Sequence, residues 1–206
     1  MNVMLALLGL GFVVGLSGAM IPGPLLVYTV NESLKKGRWT GLLVILGHMI
    51  VETIIFALIA LGITKFISSP VFVSAVSIVG GIALMGMGVK SMLELKSEIR
   101  FDEKDAGHGL VIGGIIFTLF NPSFPLWWVT AGTRLLLEGL NRFGFQGMLL
   151  VFLGHWAADM GWFVLVSITA SHGSRYLFER NWYRRVRMVL SAMLLLIGAY
   201  FIASVY

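Results

Sequence analysis

Two residue types that hydrocarbon tolerates poorly recur in this chain at one spacing. His48 stands four residues before Glu52, and His155 four residues before Asp159. On a helix, that spacing lays the imidazole over the carboxylate on one face. Histidine changes charge near neutral pH, so such a pair can relay a proton, hold the amine of a substrate, or do both. The plainer reading is a hydrogen bond that only locks two helices together. A carboxylate at the centre of a membrane helix costs about 2.5–3.5 kcal/mol on insertion scales. Each pair must therefore face the protein interior or water.

A second group of residues supplies backbone rather than side-chain chemistry. Pro22-Gly23-Pro24 interrupts one apolar run; Asn121-Pro122, with Pro125 just beyond, interrupts another. Proline has no N–H and disrupts a helix sterically, and glycine permits unusual dihedrals. An unwound stretch leaves N–H groups, carbonyls and half-helix ends available, and an N-terminal half-helix end attracts a carboxylate. The simpler alternative is a packing kink.

The elements that must position these groups are membrane helices. Of 206 residues, 58% are hydrophobic and 12% charged, against roughly a quarter charged in soluble domains. Six apolar segments are expected, at 3–30, 41–64, 71–92, 110–137, 146–170 and 186–205, each near the ~20 residues that cross a bilayer. Of the ten acidic residues, only Glu52 and Asp159 lie deep in a segment. The absence of cysteine excludes disulfides and thiol chemistry. No Lys or Arg precedes Lys35, so the first apolar run lacks the basic start of a signal peptide and reads as an uncleaved span.

Basic residues set the direction. Twelve of the fifteen fall on one side: Lys35, Lys36, Arg38, Lys90, Lys96, Arg100, Lys104, Arg175, Arg180, Arg184, Arg185 and Arg187. The other side holds Lys65, Arg134 and Arg142. The net charge of +5 follows from this bias rather than from nucleic-acid binding. Both termini are then outside the cell membrane, with loops 1–2, 3–4 and 5–6 cytoplasmic. Arg134 and Glu138, four apart, are expected to pair; His108 and His172 are expected in polar loops.

The shared string is apolar-Gly-His-x-x-x-acid. Gly47, His48 and Glu52 match Gly154, His155 and Asp159 at one constant offset, each after a proline-broken span. Gly37-Arg38 and Arg142-Phe143-Gly144 precede the two Gly-His spans. Three spans per half is odd, so the second half must enter the membrane from the opposite side. The expected fold is all-α: one transmembrane domain over 1–206, six helices in two inverted three-helix repeats (1–93 and 109–206) joined by a cytoplasmic polar loop at 94–108, with the first and fourth helices broken at prolines. Gly11 and Gly15, and Ser77 and Gly81, read as close-packing pairs.

Pro22-Gly23-Pro24, followed by Gly37, Gly41, Gly47 and Glu52, resembles the lysine exporter (LysE/RhtB) family over essentially the whole chain. Asn121-Pro122 and Gly154 to Asp159 agree with it. The resemblance implies export of amino acids or related small amines, driven by protons in antiport. Substrate contacts would fall on Pro22, Gly23, Pro24, Glu52, Asn121, Pro122 and Asp159, and proton coupling on His48, Glu52, His155 and Asp159. No cofactor and no bound metal are expected; the partners are a small-molecule substrate and the lipid bilayer, with a homodimer an open option. The family often has Asp where this chain has Glu52, and histidines at 48 and 155 are not a general pattern of it. The alternative is a divalent transition-metal exporter using the His–carboxylate pairs. An enzyme is not expected: His-x-x-x-acid is not the metalloprotease His-Glu-x-x-His. A helical scaffold without transport is the remaining reading.

Overall fold

The structure is a computed structural model that describes residues 3–21, 23–62, 69–93, 106–121, 123–176, 180–203 and 205. Pro22, Pro122, Lys65, Lys96, Arg100 and Lys104, with most of the 94–108 loop, lie outside the described residues, as do the side chains of His108, Arg175, Arg180, Arg184 and Arg187. The described elements are helices throughout: α1 (Val3–Ala19), α2 (Pro24–Lys36), α3 (Thr40–Ala60), α4 (Pro70–Leu93), α5 (Ala106–Leu119), α6 (Ser123–Trp127), a π-helical turn (Trp128–Gly132), α7 (Thr133–Tyr176) and α8 (Arg180–Ala203). Two stretches, Thr40–Ala60 and Trp128–His172, are long and apolar enough to cross a membrane, and α1 with α2 makes a third as a pair bent by 80°. Shorter apolar helices cover Ser77–Lys90, Gly109–Leu119 and Ser191–Ala203. The chain is a helical membrane protein.

Both expected breaks are present, and their causes are local. Helix α1 stops at Ala19, and α2 restarts with Pro24 at its first position, where a missing N–H costs nothing. Gly23 before it has φ −139° and ψ −179°. This is ordinary extended backbone, so the unusual dihedral expected at Gly23 is absent. The second break falls at Phe120–Asn121, and Pro125 sits in the first turn of α6. Here the chain does more than kink. The π-turn follows at once, and the hydroxyl of Thr133 donates to the Trp128 carbonyl at 2.7 Å, five residues back.

The expected boundary between the fourth and fifth segments falls inside α7, at Phe143 (φ −149°, ψ 30°) and Gly144, where the backbone leaves helical geometry and divides the Thr133–Tyr176 stretch into two helices. Gly139 and Gly147, on either side of this turn, each approach the other's carbonyl. Gly144 has φ +59° and Gly37, in the α2–α3 link, has φ +92°; both occupy the left-handed region that glycine alone enters cheaply. Helix α5 starts at Ala106, which makes His108 helical rather than part of a loop. His172 is also on a helix, with its Nδ1 2.8 Å from the Ile168 carbonyl. Glu138 takes Arg142, not Arg134, as its ion-pair partner.

Helices meet backbone to backbone at glycines. A Cβ at Gly11 of α1 would collide with the Val151 carbonyl of α7, and one at Gly154 of α7 with the Leu8 carbonyl of α1. The α3–α5 contact has the same form: Gly114 lies against the Val44 carbonyl, and Gly47 against the Val111 carbonyl. Helices α4 and α8 pack on each other, where Gly81 and Gly198 each approach the other's carbonyl. Two apolar clusters result. One gathers Val44, Ile45, Phe117 and Phe163; the other gathers Leu7, Ile59, Leu136, Val151 and Phe152. Along both α3 and α7, the histidines and acids lie between them.

Candidate functional site

The two histidine–acid pairs, far apart in sequence, form one cluster. Within each helix the expected pairing holds: His48 Nε2 is 3.1 Å from Glu52 Oε1, and His155 Nε2 is 3.2 Å from Asp159 Oδ2. The shortest contact crosses between helices, with His155 Nε2 donating to Glu52 Oε1 at 2.8 Å. The fourth distance, His48 Nε2 to Asp159 Oδ2, is 3.8 Å. Glu52 and Asp159 are 1% and 2% exposed, which no carboxylate reaches without partners. These side chains meet because Gly47 and Gly154 let α3 and α7 press against α5 and α1.

Aromatic rings hold the imidazoles. Trp127 stacks on His155 with centroids 4.7 Å apart and planes at 17°, and Trp128 meets it edge-on at 5.1 Å. Phe124 meets His48 edge-on at 5.4 Å. Gly18 makes room for the Trp127 indole, which a Cβ there would approach to 2.9 Å. All three rings come from the short helix and π-turn after the second break. They were not singled out from sequence, although the Trp127-Trp128 doublet just past Pro125 is a legible signal. Thr118 was missed as well: its hydroxyl shares a 2.8 Å hydrogen bond with His48 Nδ1.

The cluster borders an open cavity. Both breaks reach it: Gly23 and Leu25 line it from the first, Asn121 and Phe124 from the second. The breaks also face each other, since a Cβ on Gly23 would lie 3.5 Å from Asn121 Nδ2. The described lining residues include both carboxylates and no Lys or Arg. Of the sequence candidates, His48, Glu52, His155, Asp159, Gly23 and Asn121 thus gather at one cavity; Pro24 begins the helix beside it, and Pro22 and Pro122 lie outside the described residues. Glu52 Oε2 makes no hydrogen bond and is buried, so the cluster keeps acceptor capacity for a donor entering the cavity. His48, Glu52 and Asp159 present atoms within 4.8 Å of one another, a spread compatible with a cation. In the geometry present, however, both imidazole Nε2 atoms lie against Glu52 Oε1, with the hydrogen bond coming from His155.

At the end of α3 that carries Gly37, a second polar group ties the helices. Ser167 of α7 accepts hydrogen bonds from Ser33 Oγ at 3.0 Å and from the Gly41 N–H at 2.9 Å, and donates to the Arg38 carbonyl at 2.8 Å. Nearby, Glu32 pairs with Lys35 and Lys36 at 2.9 and 3.1 Å.

No curated protein and no solved structure matches the chain. A family model described as the LysE type translocator matches residues 16–205, a span that takes in both breaks, both histidine–acid pairs and nearly the whole chain. With that match, and with a buried polar cluster set beside two broken helices in an apolar helical protein, the chain belongs to the LysE type translocator family.

Proposed function

We propose that this protein exports amino acids or related small amines across the cell membrane, in exchange for protons, by alternating access between two inverted three-helix halves. The observation that carries the reading is the buried His48–Glu52–His155–Asp159 cluster at the cavity where both helix breaks meet. Its acidic lining, free of Lys and Arg among the described residues, suits an ammonium group, held by Glu52 and Asp159. The substrate carboxylate would lie by Gly23 and Pro24, against the first-turn N–H groups of α2 that a helix leaves without internal partners, with the Asn121 amide opposite. The coupling proton would be carried within this cluster of two histidines and two acids.

The inverted repeat is supported by the reciprocal glycine contacts. Gly47 and Gly154 are 107 positions apart, and so are Val44 and Val151. Gly11 and Gly114 are 103 apart, as are Leu8 and Val111. The α1–α7 and α3–α5 contacts therefore involve matched residues in exchanged roles, which a pseudo-twofold axis in the membrane plane would produce. The distribution of Lys and Arg favours both termini outside and the Gly37 end in the cytoplasm.

A screen of labelled amino acids in proteoliposomes, with and without a pH gradient, tests this. At least one amino acid should move faster with the gradient, and Glu52→Gln or Asp159→Asn should each cut its flux tenfold or more, a loss of ~1.4 kcal/mol or greater. If no amino acid moves, or if both variants keep wild-type flux while folded, the reading fails. Zinc-loaded vesicles provide the control for metal export and should show no flux.

A further inference from the structure

The two histidines occupy matched places, yet their second nitrogens meet different surroundings. His48 Nδ1 lies 2.8 Å from the hydroxyl of Thr118, which is 1% exposed and also lies 2.7 Å from the Gly114 carbonyl. His155 Nδ1 makes no hydrogen bond. It faces Gly15, where a Cβ would stand 2.7 Å from it. Thr118 and Gly15 are themselves a matched pair, 103 positions apart like Gly114 and Gly11. One half thus places a hydroxyl where the other places only backbone.

A hydroxyl both donates and accepts. When His48 is neutral with its proton on Nε2, toward the carboxylates, Thr118 can donate to the bare Nδ1. When His48 is an imidazolium, Thr118 can turn its proton to the Gly114 carbonyl and accept from Nδ1–H. Both charge states of His48 are then fully hydrogen-bonded. A second proton on His155 would point Nδ1–H at the Gly15 backbone with no acceptor, and a buried unpaired donor costs about 1–3 kcal/mol. His155 therefore favours one state, neutral with Nε2–H donated to Glu52. Facing His48 are Glu52 from its own helix, and Asp159 and His155 from α7. Helices α5 and α6 bring Thr118 and the Phe124 ring, neither of which titrates in this range.

We propose that Thr118 is a positioning residue that makes the histidines unequal, so that His48 takes up and returns a proton while His155 stays a neutral donor holding Glu52. This rests on the proton-coupled reading above only for its use in transport; the protonation states can be measured without flux.

The test is ¹⁵N NMR of the full chain in nanodiscs with labelled histidine, the His48 signals assigned by their loss in His48→Gln. Across neutral pH, the His48 signals should pass between two charge states while those of His155 stay in the Nε2–H neutral form. In Thr118→Val, which keeps the side-chain shape, the His48 midpoint should fall by roughly one pH unit, because the imidazolium loses a stronger hydrogen bond than the neutral ring does. Thr118→Ser should restore it. The proposal is overturned if His155 titrates instead, if Thr118→Val leaves the midpoint in place, or if Thr118→Ser behaves like the valine variant. Failure of amino-acid flux in wild-type protein would count against transport alone and would leave this result standing.

Discussion

At the scale of single residues, this chain uses buried charge in two ways that differ in cost. Glu52 and Asp159 lie in the apolar interior, and the two imidazoles between them let that burial persist. Glu32 sits at the end of α2, in reach of two ammonium groups. Burial there pushes its carboxyl upward, but Lys35 and Lys36 outweigh this and hold it below the usual glutamate range. A carboxylate depressed in the folded state stabilises the fold above its unfolded value, ~4.3, and loses that contribution as the pH falls through the folded value. Wild-type protein should therefore melt above Glu32→Gln at pH 7 by a modest margin, under about 1 kcal/mol for a partly solvated pair. The margin should shrink steadily as the pH falls below 4. Melting curves in detergent at a series of pH values would check this, and a margin that grew toward acid would contradict the pairing.

At the scale of elements, glycine placement decides which helices can touch. A Cβ at Gly11 would collide with the backbone carbonyl of Val151, whereas one at Gly9, two residues away on the same helix, meets nothing within 4 Å. No rotamer change relieves a clash with backbone. Gly11→Ala should therefore lower stability by about 1–3 kcal/mol, and Gly9→Ala should leave it unchanged or raise it slightly; thermal unfolding of the two variants side by side reads the difference. Gly11 and Gly15 were legible as a packing pair because their spacing places them on one face. So were both helix breaks, because proline acts through its own backbone, and the histidine–acid pairs, because four residues span one turn. The cross-pair from His155 to Glu52, the Thr118 contact and the Ser33–Ser167 bond were not legible. They join residues 103, 70 and 134 positions apart, so they exist only once particular helices are neighbours. The π-turn escaped for a related reason: a Trp-Val-Thr-Ala-Gly run carries no proline and only a single glycine, which helices tolerate, and the Thr133 bond to Trp128 that accompanies it looks like an ordinary helical contact.

At the scale of the whole molecule, the helices are joined at the two ends by different chemistry. Near Gly37 the junction is polar: Ser167 joins Ser33, the Gly41 N–H and the Arg38 carbonyl. On the proposed repeat, the positions matched to Ser33 and Gly41 by the 103 and 107 offsets are Leu136 and Met148. These are 0% and 3% exposed and pack with Phe152 and Ile59. Opening the polar end exchanges protein hydrogen bonds for water hydrogen bonds at a net cost near 1 kcal/mol each. Opening the apolar end exposes hydrocarbon at roughly 25 cal/mol per Å². Under alternating access the Ser33–Ser167 contact must therefore break when the cavity opens on that side, and a covalent bond there should arrest the cycle. The chain contains no cysteine, so Ser33→Cys with Ser167→Cys creates the only thiols present, at side chains whose oxygens lie 3.0 Å apart. Oxidation of the double variant should stop amino-acid flux in proteoliposomes, reduction should restore it, and each single variant should be insensitive to oxidant. Full flux through the cross-linked protein would mean that this end stays closed throughout the cycle, and alternating access between the two halves would have to be abandoned.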